Sequence, residues 1–174
     1  MKEDSELVIG GIGFPEFSAR GCVQKLIPLE TGRYFRTING KLRYAGQQER
    51  KYRTVITCQD KTVPDFHSVK SDQEFQVQCI SRLWQRVPRE AERDGDSIVC
   101  SLKRDPVPGS PLVHQGGKII IPINVSEKNV SIPIISGNVF ITYRPLLRMH
   151  LINFETTYHE WDLTWGWKML LDEV

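Results

Sequence analysis

Trp161-Asp162-Leu163-Thr164-Trp165-Gly166-Trp167-Lys168-Met169-Leu170-Leu171 alternates large apolar residues (Trp161, Leu163, Trp165, Trp167, Met169, Leu171) with Asp162, Thr164, Gly166 and Lys168. A period of two sends successive side chains to opposite faces of a sheet, so this is a strand with one broad apolar face. Upstream, Leu147, Met149 and Leu151 repeat the pattern over Leu147 to Phe154, and a polar turn separates the two runs. The stretch predicts an antiparallel strand pair whose tryptophans share the core face with Leu163 and Met169.

Working outward, the same signature recurs. Arg33 to Ile38 and Lys41 to Ala45 flank Asn39-Gly40, which predicts a hairpin closed by a two-residue turn with positive φ at both positions. Tyr52 to Cys58 is β-branched and aromatic; Glu74 to Trp84 sets Phe75, Val77 and Cys79 against Gln76 and Gln78; Ser97 to Leu102 and Val139 to Tyr143 add further strands. Gln85 to Asp96 is almost wholly charged and contains Pro88, so it reads as a charged loop. Lys118 to Val125 and Val130 to Ile135 read as a second hairpin. Pro122 and Pro133 cannot donate to a ladder, so that hairpin is expected to project from the body.

No segment keeps a helical period, and turn signals recur roughly every 8 to 12 residues, the spacing of all-β proteins. The fold expected is therefore all-β, an antiparallel sandwich or barrel. With 174 residues and 40% apolar content the chain fits one domain, residues 1–174, with 118–135 as its projection and 85–96 as its charged loop.

Twenty-three basic against 21 acidic residues leave a net charge of +2, which argues against nucleic acid or an anionic membrane as a general partner. No apolar run reaches the roughly 18 residues of a membrane helix, and the acidic start lacks a signal-peptide pattern, so a cytosolic chain without a membrane partner is expected. Cys22, Cys58, Cys79 and Cys100 have no metal-type spacing and sit mostly in strand patterns, which suits reduced core thiols.

Chemistry finds little support. Gly11-Ile12-Gly13 lacks the third glycine and the following helix of a dinucleotide fingerprint. The histidines at 67, 114, 150 and 159 are scattered; His150 and His159, near Glu160 and Asp162, are the one place where a metal or acid-base site is conceivable, but three ligands at metal spacing are absent. No nucleophile motif appears. No catalytic residue, metal or cofactor is expected. The basic run Arg33, Arg36, Lys41, Arg43, Arg50, Lys51 and Arg53 faces one acid, Glu49, and is interleaved with Tyr34, Phe35, Tyr44 and Tyr52. Such a surface suits an acidic partner or, as an alternative, a stacking platform for single-stranded nucleic acid. A carbohydrate-binding module is a further alternative.

Pro15-Glu16-Phe17-Ser18-Ala19-Arg20-Gly21, Arg36-Thr37-Ile38-Asn39-Gly40-Lys41-Leu42, Lys51-Tyr52 with Thr57-Cys58-Gln59-Asp60, Val77-Gln78-Cys79-Ile80, and Tyr143-Arg144-Pro145 with Trp167 together resemble small structural proteins of the tail region of tailed bacteriophages. The resemblance implies a virion subunit of the tail tip or baseplate, a β domain forming rings with copies of itself and binding other tail proteins. It implies assembly in the bacterial host cytoplasm, and contact with nucleic acid only in transit through a lumen. It carries over no catalytic residue. The expected subunit contacts are Ile119, Ile120, Ile121, Ile132, Ile134 and Ile135, too apolar to stand in water on a projecting hairpin, and Arg33, Arg36, Arg43, Lys51 and Arg53.

Overall fold

A computed structural model describes residues 6–29, 32–46, 50–70, 73–88, 92–94, 96–134 and 137–174. The protein is all-β: the described residues contain no helix and form several antiparallel sheets. The strands are β1 (Val8–Ile9), β2 (Val23–Pro28), β3 (Arg33–Arg36), β4 (Leu42–Ala45), β5 (Tyr52–Asp60), β6 (Glu74–Gln78), β7 (Leu83–Arg86) and β8 (Glu92–Asp94). They continue with β9 (Ser97–Ser101), β10 (Leu112–Gln115), β11 (Lys118–Ile120), β12 (Asn124–Ser126), β13 (Asn129–Pro133), β14 (Val139–Tyr143), β15 (Leu146–His159) and β16 (Thr164–Glu173). Within the span expected to be one domain, the chain groups into two compact units. The first holds Gly10–Phe75 and Arg148–Val174; the second holds Glu6–Ile9 and Gln76–Leu147.

In the first unit β15, β16, β5 and β2 are successive antiparallel neighbours. The pairings Phe154↔Met169, Met169↔Ile56 and Gln24↔Ile56 put these side chains on one face, which is the core face. Trp167 lies on it too, buried against Phe66 and Phe14 at ring distances of 6.1 and 6.3 Å, and its indole N–H donates to the Ser18 carbonyl at 2.7 Å. The tryptophan stripe ends earlier than its alternation suggests. Residues 160–163 form the turn, so Trp161, 98% exposed, and Leu163, at a φ of 50°, leave the core face. A turn interrupts the pleat, and parity carries no meaning across it. Trp165 is half-buried and packs on Tyr158, 4.7 Å away. On β15 the register shifts between Leu151 and Asn153, leaving Ile152 as the extra residue of a β-bulge, exposed to solvent.

A clamp joins the segment before β2 to the end of β5. The Arg20 guanidinium donates to both carboxylate oxygens of Asp60, the closest contact being 2.7 Å, and the backbone N–H of Arg20 donates to the same carboxylate at 3.0 Å. The N–H groups of Lys61 and Thr62 donate to the Phe17 carbonyl at 3.0 and 3.1 Å, and the Arg20 guanidinium lies 4.3 Å from the centre of the Phe17 ring.

The second unit is a small sandwich of two four-stranded sheets, β11-β10-β14-β7 and β12-β13-β9-β8, beside the short β1–β6 pair. Its core combines Val113, Ile141 and Tyr143 of one sheet with Cys100, Val130 and Ile132 of the other. The expected 118–135 hairpin is divided between the two sheets. β11 returns along β10 through Gly116 and Gly117, both at positive φ, as a two-residue hairpin turn requires, whereas β12 pairs with β13. Pro122 stands between β11 and β12, where a residue without an N–H ends one ladder before the next begins. Far from projecting, this segment supplies the sandwich core: Ile132 is 0% exposed. Part of the expected charged loop 85–96 is strand as well. β8 pairs with β9 at the edge of its sheet, and an edge strand tolerates charged residues because only one side of its backbone is paired.

The hairpin that does stand out is β3–β4, a two-stranded ribbon hydrogen-bonded to no other described strand and exposed at all eight strand positions. Its tip differs from the expected two-residue turn. The Gly40 N–H donates to the Thr37 carbonyl at 2.8 Å, the Thr37 N–H donates to Lys41 at 2.9 Å, and Gly40 alone of the loop residues has positive φ, 74°. That is a three-residue loop, a turn followed by one left-handed glycine. Asn39 therefore needs no unusual conformation. Gly40→Val should strain the tip by about 1–2 kcal/mol, since a β-branched residue disfavours the left-handed region. Hydrogen exchange at Thr37 and Gly40 should accelerate while the two units stay folded; unchanged exchange would rule out this tip geometry.

Candidate functional site

Two surfaces of the first unit concentrate groups able to make contacts. The ribbon is the stronger. Its strand register, Arg33↔Ala45, Tyr34↔Tyr44, Phe35↔Arg43 and Arg36↔Leu42, divides its side chains between two faces. One carries Tyr34, Tyr44, Arg36 and Leu42; the other carries Arg33, Phe35 and Arg43. The tyrosine rings pack at 5.0 Å, and the Arg36 guanidinium donates to the Gly40 carbonyl at 3.0 Å, so the ribbon has some internal support. At its base Gly32 and Gly46 flank the Tyr44 ring so closely that a Cβ on either would overlap it. Even so, Tyr34, Phe35, Ile38 and Leu42 remain exposed, Tyr34 at 64%. From 32 to 46 there are four basic residues and no acidic one. An isolated two-stranded ribbon is marginal in water, and one showing apolar groups on both faces gains stability from a surface that covers it.

Of the expected basic contacts, Arg33, Arg36 and Arg43 lie on this ribbon. Arg53 does not: its guanidinium is committed to Asp172 in a two-pronged pair at 2.6 and 2.7 Å, which raises its pKa. Lys51 is half-buried at the ribbon's root, where its carbonyl accepts from Leu29 N–H at 2.7 Å. Among the isoleucines, Ile119, Ile121 and Ile134 are exposed, Ile121 at 79%, whereas Ile120 packs against the sandwich core and Ile132 is wholly inside it. Ile135 lies outside the described residues. Only the exposed three remain as contacts, because a core residue cannot also meet a neighbour. Ile123, also exposed, joins them; in the 118–125 run it shares the parity of Ile119 and Ile121.

The second surface lies on the sheet face away from the first unit's core. The partners Glu155↔Lys168, Lys168↔Thr57 and Thr57↔Val23 share that face, and a groove of about 460 Å³ runs over it. Thr157, His159 and Gln59 also line it, and the glycine at 166 leaves its floor low. Lys168 and Glu155 pair at 3.6 Å, and the Gln59 amide donates to Thr164 at 3.2 Å. These are hydrogen-bonding groups with no nucleophile–base pair among them. His150 and His159 lie along a single strand, about 30 Å apart at strand rise. His150 is instead 4.0 Å from Glu74, which also binds Arg148. His114 stacks on Trp84 and bonds Thr142 at 2.9 Å. Among the described residues no group of three His, Cys, Asp or Glu side chains is placed to hold a metal ion. No helix among them is long and apolar enough to cross a membrane. No protein-family model and no curated protein sequence matches this chain.

Proposed function

We propose that the chain is a structural subunit of a bacteriophage tail, at the tip or baseplate, assembling into a ring with copies of itself and binding other tail proteins. The observation that carries the reading is the β3–β4 ribbon, a basic and aromatic arm whose apolar side chains stand exposed among the described residues. The resemblance of the Arg36 to Leu42 and Pro15 to Gly21 motifs to tail-region proteins supports it. Complementary charge between the arm and an acidic neighbour would fix register more than affinity. The virion is then its place, and the host cytoplasm its site of assembly.

The test removes the arm. Replacing 33–45 with a short Gly/Ser linker should leave a folded monomer, because no other described strand pairs with the ribbon. Rings seen by negative-stain microscopy, and incorporation into virions, should be lost. Arg36→Glu with Arg43→Glu should weaken assembly in a salt-dependent way. Rings that persist after deletion would transfer the contact to the exposed isoleucines at 119, 121, 123 and 134.

A second reading, a saccharide-binding β module, is favoured by the polar groove over Thr57, Gln59, Glu155 and Thr157. Oligosaccharide titration followed by tryptophan fluorescence separates the two: saturable binding lost in Glu155→Ala favours the module.

A further inference from the structure

We propose that Cys22 and Cys58 are an oxidisable pair whose disulfide staples β2 to β5. The pairing Val23↔Thr57 sets the register, and one step further along the ladder brings Cys22 opposite Cys58. Both residues have the parity of Gln24↔Ile56, so both point to the core face. Directly opposite residues in an antiparallel pair have Cα atoms about 4.5–5.5 Å apart, inside the span that a disulfide bridges. The clamp holds this register on one side of the pair, where Arg20 is bound to Asp60 and the Phe17 carbonyl to Lys61 and Thr62, and the β2–β5 ladder from Val23↔Thr57 holds it on the other. The sulfurs need little backbone movement to meet.

The two thiols differ in a way that suits sequential exchange. Cys22 is half-buried and its thiol donates to the Ala19 carbonyl at 3.1 Å; Cys58 is buried and bonds the Arg20 carbonyl at 3.3 Å. The neighbouring Cys22 side chain, the Gln59 backbone and the Arg20 charge hold the Cys58 thiol below its ordinary range, against burial and the Asp60 charge. A disulfide oxidant such as glutathione disulfide reaches the outer thiol first. Cys22 as thiolate attacks one glutathione sulfur, forms a mixed disulfide and releases one glutathione thiolate. The Cys58 thiolate then attacks the Cys22 sulfur and expels the second glutathione. The protein loses two protons and two electrons, and one glutathione disulfide becomes two glutathiones. The closed loop contains β2 and the whole ribbon, so the staple restrains the unfolded chain and secures an edge strand at the ribbon's root.

The test equilibrates the full chain with glutathione buffers of rising disulfide fraction, quenches with acid, and maps thiols by mass spectrometry. The expected product is a peptide linking Cys22 to Cys58, with Cys79 and Cys100 still reduced. Its formation should raise the unfolding midpoint by about 5 °C or more, reversed by dithiothreitol. In Cys58→Ser the glutathione should remain on Cys22 and the midpoint should not rise. A wild-type chain that keeps glutathione on Cys22, that links either thiol to Cys79 or Cys100, or that stays reduced under the most oxidising buffer overturns the proposal. Because the wild-type map needs no variant, a folding defect in Cys58→Ser leaves the result readable.

Discussion

Trp167→Ala is expected to destabilise the protein by about 3–5 kcal/mol, the largest single-residue loss we anticipate. The indole fills the space between Phe14 and Phe66 on the core face, and its N–H satisfies the Ser18 carbonyl at 2.7 Å. Alanine leaves a cavity among rigid rings and a buried acceptor without its donor, and the second loss adds to the first. Trp165→Ala, two residues earlier on the same face, should cost only about 1–2 kcal/mol, since its ring is half-exposed and its main partner is Tyr158. Urea titrations followed by circular dichroism check both. Equal losses would mean that the Trp165 ring is as buried as that of Trp167.

Asp60 carries the second large effect. Burial alone would raise the pKa of its carboxyl, but the Arg20 guanidinium and the N–H groups of Arg20 and Lys61 outweigh burial and hold it below the ordinary aspartate range. The folded chain therefore binds this proton more weakly than the unfolded chain. Its contribution is complete above the unfolded pKa of about 3.9 and is lost as pH falls through the lowered folded value. The melting temperature should accordingly drop on acidification below about pH 4. Asp60→Asn keeps the shape but turns an acceptor into a donor facing other donors, and should cost about 2–3 kcal/mol at neutral pH. The variant should also lose part of the acid-dependent drop; an unchanged acid limb would assign it to other carboxylates, Glu74 beside Arg148 among them.

The strands were largely legible from local pattern, because a half-covered pleat writes its period into residues such as Phe75-Gln76-Val77-Gln78. What local pattern lacks is the partner. Ile132 and Ile134 have the same parity and the same chemistry, yet one is inside the sandwich and the other outside, a difference set by where β9 begins. The ribbon was legible as a hairpin, but its isolation was not, since Tyr34 and Phe35 would serve equally well as core residues. The Cys22–Cys58 juxtaposition depends on the register between two strands far apart in sequence, and no spacing rule encodes it. Arg53 looked like a free cation because Asp172 lies at the other end of the chain.

The bulge at Ile152 makes β15 two half-strands in antiphase. Before it, the odd positions Met149 and Leu151 face inward; after it, the even position Phe154 does, and Glu155 and His159 turn to the groove. A saturation scan of this strand would show its tolerance pattern invert at residue 152, with hydrophobic-only positions switching from odd to even. Deleting that one residue would leave a single unbroken period along the strand, with Phe154 still facing inward opposite Met169 and Glu155, Thr157 and His159 still on the groove side.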